Sequence, residues 1–378
     1  MALRKLAKHA REAWEVPRDL LLGRYPEFVT GGGLPKGHVP VFVFHTLEPE
    51  SFGRKLAYLA VNGYATLSAE EYFLVLMGTR PAPDRAVVLT LDDGRASVHS
   101  VGLPLLIRYG MKAIAFLIPG RTSRATTAQP PPPNEGFLSW EEVEELSRSG
   151  LVDVQSHSLS HARIHVAPQV VDFLTPEMRT GYRALDVPLI HDGGRDLEVQ
   201  EIPLGTPLFR SASRLSKELR FYEDPGIRRA TVERVAAEGG PGFFHKAGWR
   251  RVLRPLLDSG PVAQPGRLET PEAREAAIRT ELAESKRLIE EKTGRPVTHL
   301  CYPWHVSGRT AERVAREVGY RTAFCGKVRG VPLTPPGGDP LRIARIGEDY
   351  LETLPGKGRV GIVEILRTKW RRRASGKA

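Results

Sequence analysis

Residues 87–94 read Val87-Val-Leu-Thr-Leu-Asp-Asp-Gly94, an apolar run that stops abruptly in two carboxylates and a glycine. The run Ala86–Leu91 reads as a buried strand. Two adjacent carboxylates at a strand's end cost free energy unless a cation or a shared proton lies between them. The stretch therefore points to a metal ion or to proton chemistry, with an exposed Asp-Asp-Gly turn as the plain alternative.

The neighbouring sequence repeats one rhythm. Upstream, Val39–His45 reads as a buried strand, and Ser51–Tyr64 places Phe52, Leu56, Leu59 and Ala60 on one helical face. Ser68-Ala-Glu-Glu71 is a capping box opening a helix through Met77. Downstream come a helix over Val98–Tyr109 and a strand over Lys112–Ile118. A helix capped by Ser139-Trp-Glu-Glu142 then stops at Gly150, and a strand follows over Val152–Ser158. The rhythm returns with a helix over Thr270–Lys292, a strand Thr298–Trp304, a helix Arg309–Val318 and a strand Arg321–Cys325. Strands alternating with helices predict βαβ units and a parallel α/β sheet. Periodicity alone does not separate a TIM-like barrel from a doubly wound sheet.

Two segments break the alternation. Arg121–Gly136 contains Pro130-Pro-Pro-Pro133, a stiff loop after a strand, where parallel folds gather their active-site loops. Residues 163–265 are too long for a structureless loop and read as an inserted lid or subdomain. The expected organisation is a basic extension over 1–37, a catalytic domain over 38–350 carrying that insertion, and a basic tail over 351–378. Gly31-Gly-Gly33 reads as a hinge, because no strand and helix follow it as a phosphate loop requires.

Composition narrows the function classes. The 378 residues are 41% hydrophobic and 26% charged, as in a soluble globular protein. No apolar stretch reaches transmembrane length, and the first residues lack the apolar core of a secretion signal. The two cysteines, Cys301 and Cys325, read as buried reduced thiols, which together with the missing signal predicts a cytoplasmic protein. Net charge is +11, concentrated in Arg4, Lys5, Lys8 and Arg11 and in Arg367, Lys369, Arg371, Arg372 and Arg373. No nucleic-acid-binding signature accompanies it, so nucleic acid is not expected. The tail pairs Ile362, Val363, Ile365, Leu366 and Trp370 with those basic residues, a composition that suits an anionic membrane face or a solvated tail.

The second chemical signal is Asp153-Val-Gln-Ser-His157-Ser-Leu-Ser-His161. Histidines four apart converge on one ion from a helical turn, or from a strand end that curls into a loop. Strand ends of a parallel fold share one face, so a carboxylate from 92–93 and these two imidazoles form a facial ligand set with open positions. Zn²⁺, Fe²⁺, Co²⁺ or Mn²⁺ suits it.

At these residues the chain resembles the polysaccharide deacetylases with the NodB homology domain, carbohydrate esterase family 4. Thr90-Leu-Asp-Asp-Gly94 looks like the family's Thr-Phe-Asp-Asp-Gly motif, and His157-Ser-Leu-Ser-His161 like its His-Ser/Thr-x-x-His motif. Tyr302-Pro303-Trp304 resembles the Tyr-Pro-aromatic form of the third motif. The resemblance covers roughly residues 38–162 and 295–347. It implies a distorted (β/α) TIM-like barrel of fewer than eight regular strands, with the insertion between the second and third motifs. It also implies Asp92 as general base and Asp93, His157 and His161 as ligands of a divalent metal, most naturally Zn²⁺. The backbone near Trp304 would hold the oxyanion.

The departures are as informative. Leu91 replaces the usual Phe, and Ala162 stands where Pro often follows the second His. The third motif lacks its arginine, since Cys301 and Tyr302 occupy that stretch, and the late Leu-x-His motif that supplies the general acid is absent. Near its place stands Leu341-Arg-Ile-Ala-Arg345-Ile. Arg345 is therefore expected to pair with Asp92, and His305 or His45 to protonate the leaving group. The implied activity is hydrolysis of an acetyl group, N-acetyl before O-acetyl, on a sugar or glycan precursor. An inactive carbohydrate-binding scaffold is the alternative.

Overall fold

The protein's structure, a computed structural model, describes residues 22–123, 136–257, 266–328 and 330–374. The basic run Arg4–Arg11 and the Pro130–Pro133 loop lie outside the described residues. Seven strands build the main sheet: β1 (Val41–Phe44), β2 (Ala86–Leu91), β3 (Ala113–Leu117), β4 (Val152–Ser156), β9 (His299–Cys301), β10 (Thr322–Phe324) and β11 (Ile346–Gly347). The labels β5 to β8 belong to the insertion, which runs through Leu268, three residues past the expected end: β5 (Arg163–Phe173), β6 (Pro207–Ser213), β7 (Phe221–Glu223) and β8 (Gly266–Leu268). A two-residue strand, Ala65–Thr66, adds to the foot of β2.

The order across the sheet is β10-β9-β4-β3-β2-β1-β11, and each neighbouring pair is parallel. One short segment then joins the two edges. Ile343 bridges Phe324 of β10, and three residues later Ile346 pairs with Phe42 of β1. The strands thus run round in chain order with no reversal, as a distorted (β/α) barrel does and a doubly wound sheet does not.

The alternation of side chains on β2 shows how the barrel is filled. Val87, Leu89 and Leu91 pack outward with the helices, whereas Ala86 and Val88 join Ile114, Phe116, Cys301, Phe324 and Ile343 inside. The outer layer comprises α1 (Pro49–Val61), α3 (Leu103–Tyr109), α4 (Trp140–Arg148), α6 (Pro271–Thr293) and α7 (Arg309–Val318). Helix α2 (Ala69–Leu76) instead contributes Tyr72, Val75 and Leu76 to the inner cluster and plugs the barrel's foot. Each fully buried Leu, Val or Phe contributes about 1.5–3 kcal/mol, so this double layer supplies most of the fold's cohesion.

Local sequence dictates several boundaries. Ser68 accepts from the Glu71 amide while Glu71 accepts from the Ser68 amide, and Ser139 and Glu142 repeat the arrangement at the start of α4. The strand expected over Thr298–Trp304 is shorter. It ends at Cys301, because Pro303 has no N–H to donate and Trp304 and His305 both take positive φ.

The insertion has structure of its own. β5 and β6 form an antiparallel ribbon, β7 pairs with β8, and α5 (Gly226–Ala237) packs beneath Phe173, Phe243, Trp249 and Leu253. Arg214 donates both terminal nitrogens to Glu269 at 2.7 and 2.8 Å, a buried pair that ties the ribbon to the lead-in of α6. The last helix, α8, spans Ile362–Ala374.

Candidate metal centre

Period-two alternation on β2 turns Thr90 and then Asp92 toward the barrel interior. The next residue, Asp93, leaves the strand with φ 71°, and Gly94 follows at φ 63°. A Cβ on Gly94 would lie 2.6 Å from Leu117 Cδ1, so only glycine lets the chain turn here and keep both carboxylates at the mouth. Among the described residues, the non-glycine positions with positive φ are Asp93, Ser158, His161, Trp304 and His305. All lie in the loops of this one mouth, where backbone strain of about 1–3 kcal/mol per residue is held by the surrounding structure.

Asp93, His157 and His161 come together here. His157 Nε2 lies 3.5 Å and His161 Nε2 3.7 Å from Asp93 Oδ1. Bonds of ~2.1 Å in a tetrahedral arrangement separate ligand atoms by roughly 3.4 Å, so one divalent ion fits between these three atoms. The two histidines sit not on a helix but on the loop leaving β4, the second of the two geometries read from the sequence. His157 Nδ1 is 2.9 Å from the carbonyl of Cys301; a carbonyl only accepts, so Nδ1 carries a proton and leaves Nε2 facing Asp93, to hold a second proton or, without it, to ligate a metal. His161 Nδ1 is buried without a hydrogen-bond partner among the described residues.

Charge agrees with a cation site. Burial pushes Asp93 up, but contacts with His157, His45 and Arg95 outweigh it and hold the carboxyl well below its ordinary range. Burial disfavours the charged form of His157, yet Cys301 and Asp93 outweigh it and draw a proton onto the ring. Burial, then the neighbouring His157, holds His161 down to about 3. The donor set thus attracts one positive charge into the space between Asp93 and the imidazoles.

Asp92 occupies the adjoining position. Arg345, on the segment that closes the barrel, donates Nη1 to Asp92 Oδ1 at 2.7 Å and Nη2 to Oδ2 at 2.8 Å. The guanidinium also donates Nε to the Cys325 carbonyl at 2.8 Å and Nη1 to Thr90 Oγ1 at 3.0 Å. Burial pushes Asp92 up, but the charge of Arg345 overrides it and keeps the carboxyl ionised. Arg345 Nη2 further contacts His305 Nδ1 at 3.0 Å. Because arginine can only donate, that nitrogen accepts, and the His305 proton resides on Nε2. Gly326 makes room for this ring, since a Cβ there would stand 2.7 Å from His305 Cβ. Burial and then the charge of Arg345 lower His305 to about 4.

The cleft above, with about 880 Å³ of open space, is lined by His45, Asp92, Asp93, Arg95, His157, His161, Trp304 and His305. Trp304 donates its indole N–H to the His161 carbonyl at 3.3 Å, and its ring lies 4.7 Å from that imidazole. The far wall comes from the insertion, through Tyr182, Arg183, Leu185 and Asp186. Sequence reasoning singled out neither these residues nor Arg95. The position of Arg95, immediately after Asp-Asp-Gly, was the available signal for it.

Comparison with known proteins agrees with the fold and the motifs. Residues 79–179, which hold the first two motifs, match the polysaccharide deacetylase family profile. YxkH of Bacillus subtilis (strain 168), which carries the polysaccharide deacetylase name, is 26% identical over 140 residues, 35% of this chain and 46% of that protein. The poly-beta-1,6-N-acetyl-D-glucosamine N-deacetylase of Escherichia coli (strain K12) is 28% identical over 120 residues, 30% of this chain and 18% of that enzyme. The chain therefore spans less than half the length of these relatives. Among solved structures, the BpsB deacetylase domain from Bordetella bronchiseptica superposes with a TM-score of 0.51 at 19% identity, covering 84% of this chain and 98% of that one.

Proposed function

We propose that the protein is a metal-dependent hydrolase that removes an acetyl group, N-acetyl before O-acetyl, from a sugar or glycan. The observation that carries this reading is the convergence of Asp93, His157 and His161 within 4.8 Å of one another, beside the Asp92–Arg345 pair in one cleft. The name of the Escherichia coli relative makes an N-acetylglucosamine polymer the first substrate to test.

Asp93 Oδ1 and the two Nε2 atoms would hold the ion, with Zn²⁺ the first choice and Co²⁺, Mn²⁺ or Fe²⁺ also suited to such donors. When bound, the ion would supply Lewis-acid polarisation of the acetyl carbonyl and acidify a water. Asp92 takes the proton from the attacking water. Arg345 keeps it ionised and fixes its plane, so that the carboxylate is ready before substrate arrives. At the Pro303–His305 turn the His305 amide already donates to Tyr302 and the Val306 amide to Pro303, so the oxyanion role falls to the Trp304 amide. His305 presents an Nε2–H that can orient the acetyl oxygen. With its pKa held near 4 it carries no spare proton at neutral pH, which transfers the general-acid role to His45, a partly exposed ring in the same cleft.

The test has two stages. Metal content of the purified protein is measured beside His157→Ala, then acetate release from N-acetylglucosamine oligomers beside Asp92→Asn. One ion in the wild type, lost in His157→Ala, with acetate release lost in Asp92→Asn, is the expected result. A wild type that takes up no zinc, cobalt or manganese ends the proposal.

A second reading concerns α8. Val363 and Trp370 are 58% and 71% exposed, stand seven residues apart on one helical face, and flank the exposed Arg367. We infer that this face meets an anionic lipid surface. No described helix is long and apolar enough to cross a membrane.

A further inference from the structure

Arg95 touches the proposed metal ligand from the side away from the histidines. Its Nε and Nη2 donate to the same oxygen, Asp93 Oδ2, at 3.0 and 2.7 Å. The histidine nitrogens are placed against the other oxygen, with His157 Nε2 3.5 Å and His161 Nε2 3.7 Å from Oδ1. Two N–H donors on one oxygen of a carboxylate that is 5% exposed form a strong, little-screened contact, and they leave no room on that oxygen for an ion.

Arg95 is itself held on every side. Its Nη1 donates to Thr46 Oγ1 at 2.6 Å, beyond the end of β1. The guanidinium Cζ lies over the Tyr182 ring of the insertion, 3.8 Å from its centroid. Tyr182 is anchored in turn: its hydroxyl donates to the Gly136 carbonyl at 2.9 Å and its ring packs edge-on against Phe137. The same loop pairs with the Asp-Asp-Gly turn, through Leu138 N–H to the Gly94 carbonyl and Ala96 N–H to the Gly136 carbonyl, both 2.8 Å.

We propose that Arg95 is a positioning residue that keeps Asp93 a one-oxygen ligand, and that Tyr182 makes the insertion part of the metal site by holding Arg95 in place. This rests on the reading of Asp93, His157 and His161 as ligands. A carboxylate free to rotate would chelate the ion with both oxygens and fill a coordination position that water or the acetyl oxygen needs. Arg95 prevents this by occupying Oδ2. The insertion then does more than wall the cleft: withdrawing Tyr182 loosens the guanidinium, which then rests on Thr46 and Asp93 alone, and gives the ligand more freedom to turn.

Cobalt(II) substitution reads coordination number without any substrate, because low-coordinate cobalt absorbs visible light several-fold more strongly than six-coordinate cobalt. Wild type, Arg95→Met, Arg95→Lys and Tyr182→Leu are stripped of metal, loaded with one equivalent of cobalt, and compared by absorption and by thermal melting. The wild type is expected to show intense bands. Arg95→Met should show bands weakened several-fold at full cobalt occupancy, Tyr182→Leu a smaller weakening, and Arg95→Lys partial recovery. Unchanged band intensity in folded, cobalt-loaded Arg95→Met overturns the proposal and leaves the metal reading standing. Should Arg95→Met not fold, Tyr182→Leu decides, and a wild-type spectrum there overturns the coupling to the insertion. A wild type that binds no cobalt overturns the ligand assignment itself, and this inference with it.

Discussion

Arg345 and Asp92 meet across the barrel interior from the closing segment and from β2, joined by two parallel hydrogen bonds and almost wholly buried at the floor of the cleft, with side-chain exposures of 0% and 1%. A buried pair of this kind gives little net stability as a pair but is costly to break. The guanidinium reaches Asp92 from a place 40 residues further along the chain than His305, whose ring it also contacts.

Replacing Arg345 by Met strands a carboxylate in the barrel. The expected cost is about 3–5 kcal/mol of unfolding free energy, measured by urea titration. In the fraction that folds, acetate release falls and the acidic limb of its pH profile moves to higher pH, since Asp92 loses the charge that keeps it ionised. An unmoved acidic limb would separate Arg345 from the chemistry.

Removing one imidazole should dismantle the proposed ligand set. His161→Ala should lower metal affinity by at least ten-fold in a chelator competition, and chelation of the wild type should abolish acetate release reversibly. Activity that survives exhaustive chelation would contradict the proposed mechanism.

The two cleft histidines should differ in kinetics. His45→Gln is expected to cost about 100-fold in kcat and to remove the alkaline limb of the profile. His305→Gln should keep that limb and lose less. The reverse pattern would return the acid role to His305.

His299 gives a pH signature independent of the active site. Its ring is buried at the start of β9 with Nδ1 2.7 Å from Thr322 Oγ1, and burial, then Arg321 and Lys286, holds its pKa down to about 3. Glu70 stands 3.7 Å from Nε2 but is 46% exposed, so burial dominates. The unfolded chain takes up this proton near pH 6.5, so the contribution is complete above that pH and drains away as the pH falls toward 3. Between pH 7.5 and pH 5 the wild type should lose about 2 kcal/mol more than His299→Gln in denaturant titrations. Equal losses would show that His299 does not titrate differently on folding.

For α8, co-sedimentation with phosphatidylserine vesicles should be lost on deleting residues 362–378 and weakened in Trp370→Ala. Neutral vesicles should bind neither form. Binding unchanged by the deletion would remove the lipid partner.

What could be read in the sequence follows from how local the determinants are. The run Ala86–Leu91 and the helix Arg309–Val318 appear with the expected ends, because period and caps are written into consecutive residues. So are the capping boxes at Ser68 and Ser139. The contact of Arg345 with Asp92 was reachable only through a missing motif residue and a position late in the chain. The barrel's closure at Ile343 and Ile346 left no mark, since one isolated bridge and a two-residue strand need no periodic pattern. Tyr182 was invisible for a different reason. Its partner, Arg95, is 87 residues away in the chain, and an aromatic side chain in an aperiodic segment announces nothing about what it will cover.

The closing segment also dictates when the molecule can become competent. Asp92, Asp93, His157 and His161 all leave the ribosome before residue 162, but the arginine that neutralises Asp92 and the residue that pairs with Phe42 arrive some 180 residues later. Without that segment the sheet keeps two unjoined edges, and contacts this distant in sequence form slowly. A chain that stops short of residue 345 therefore carries Asp92, Asp93, His157 and His161 without the guanidinium that pairs with Asp92.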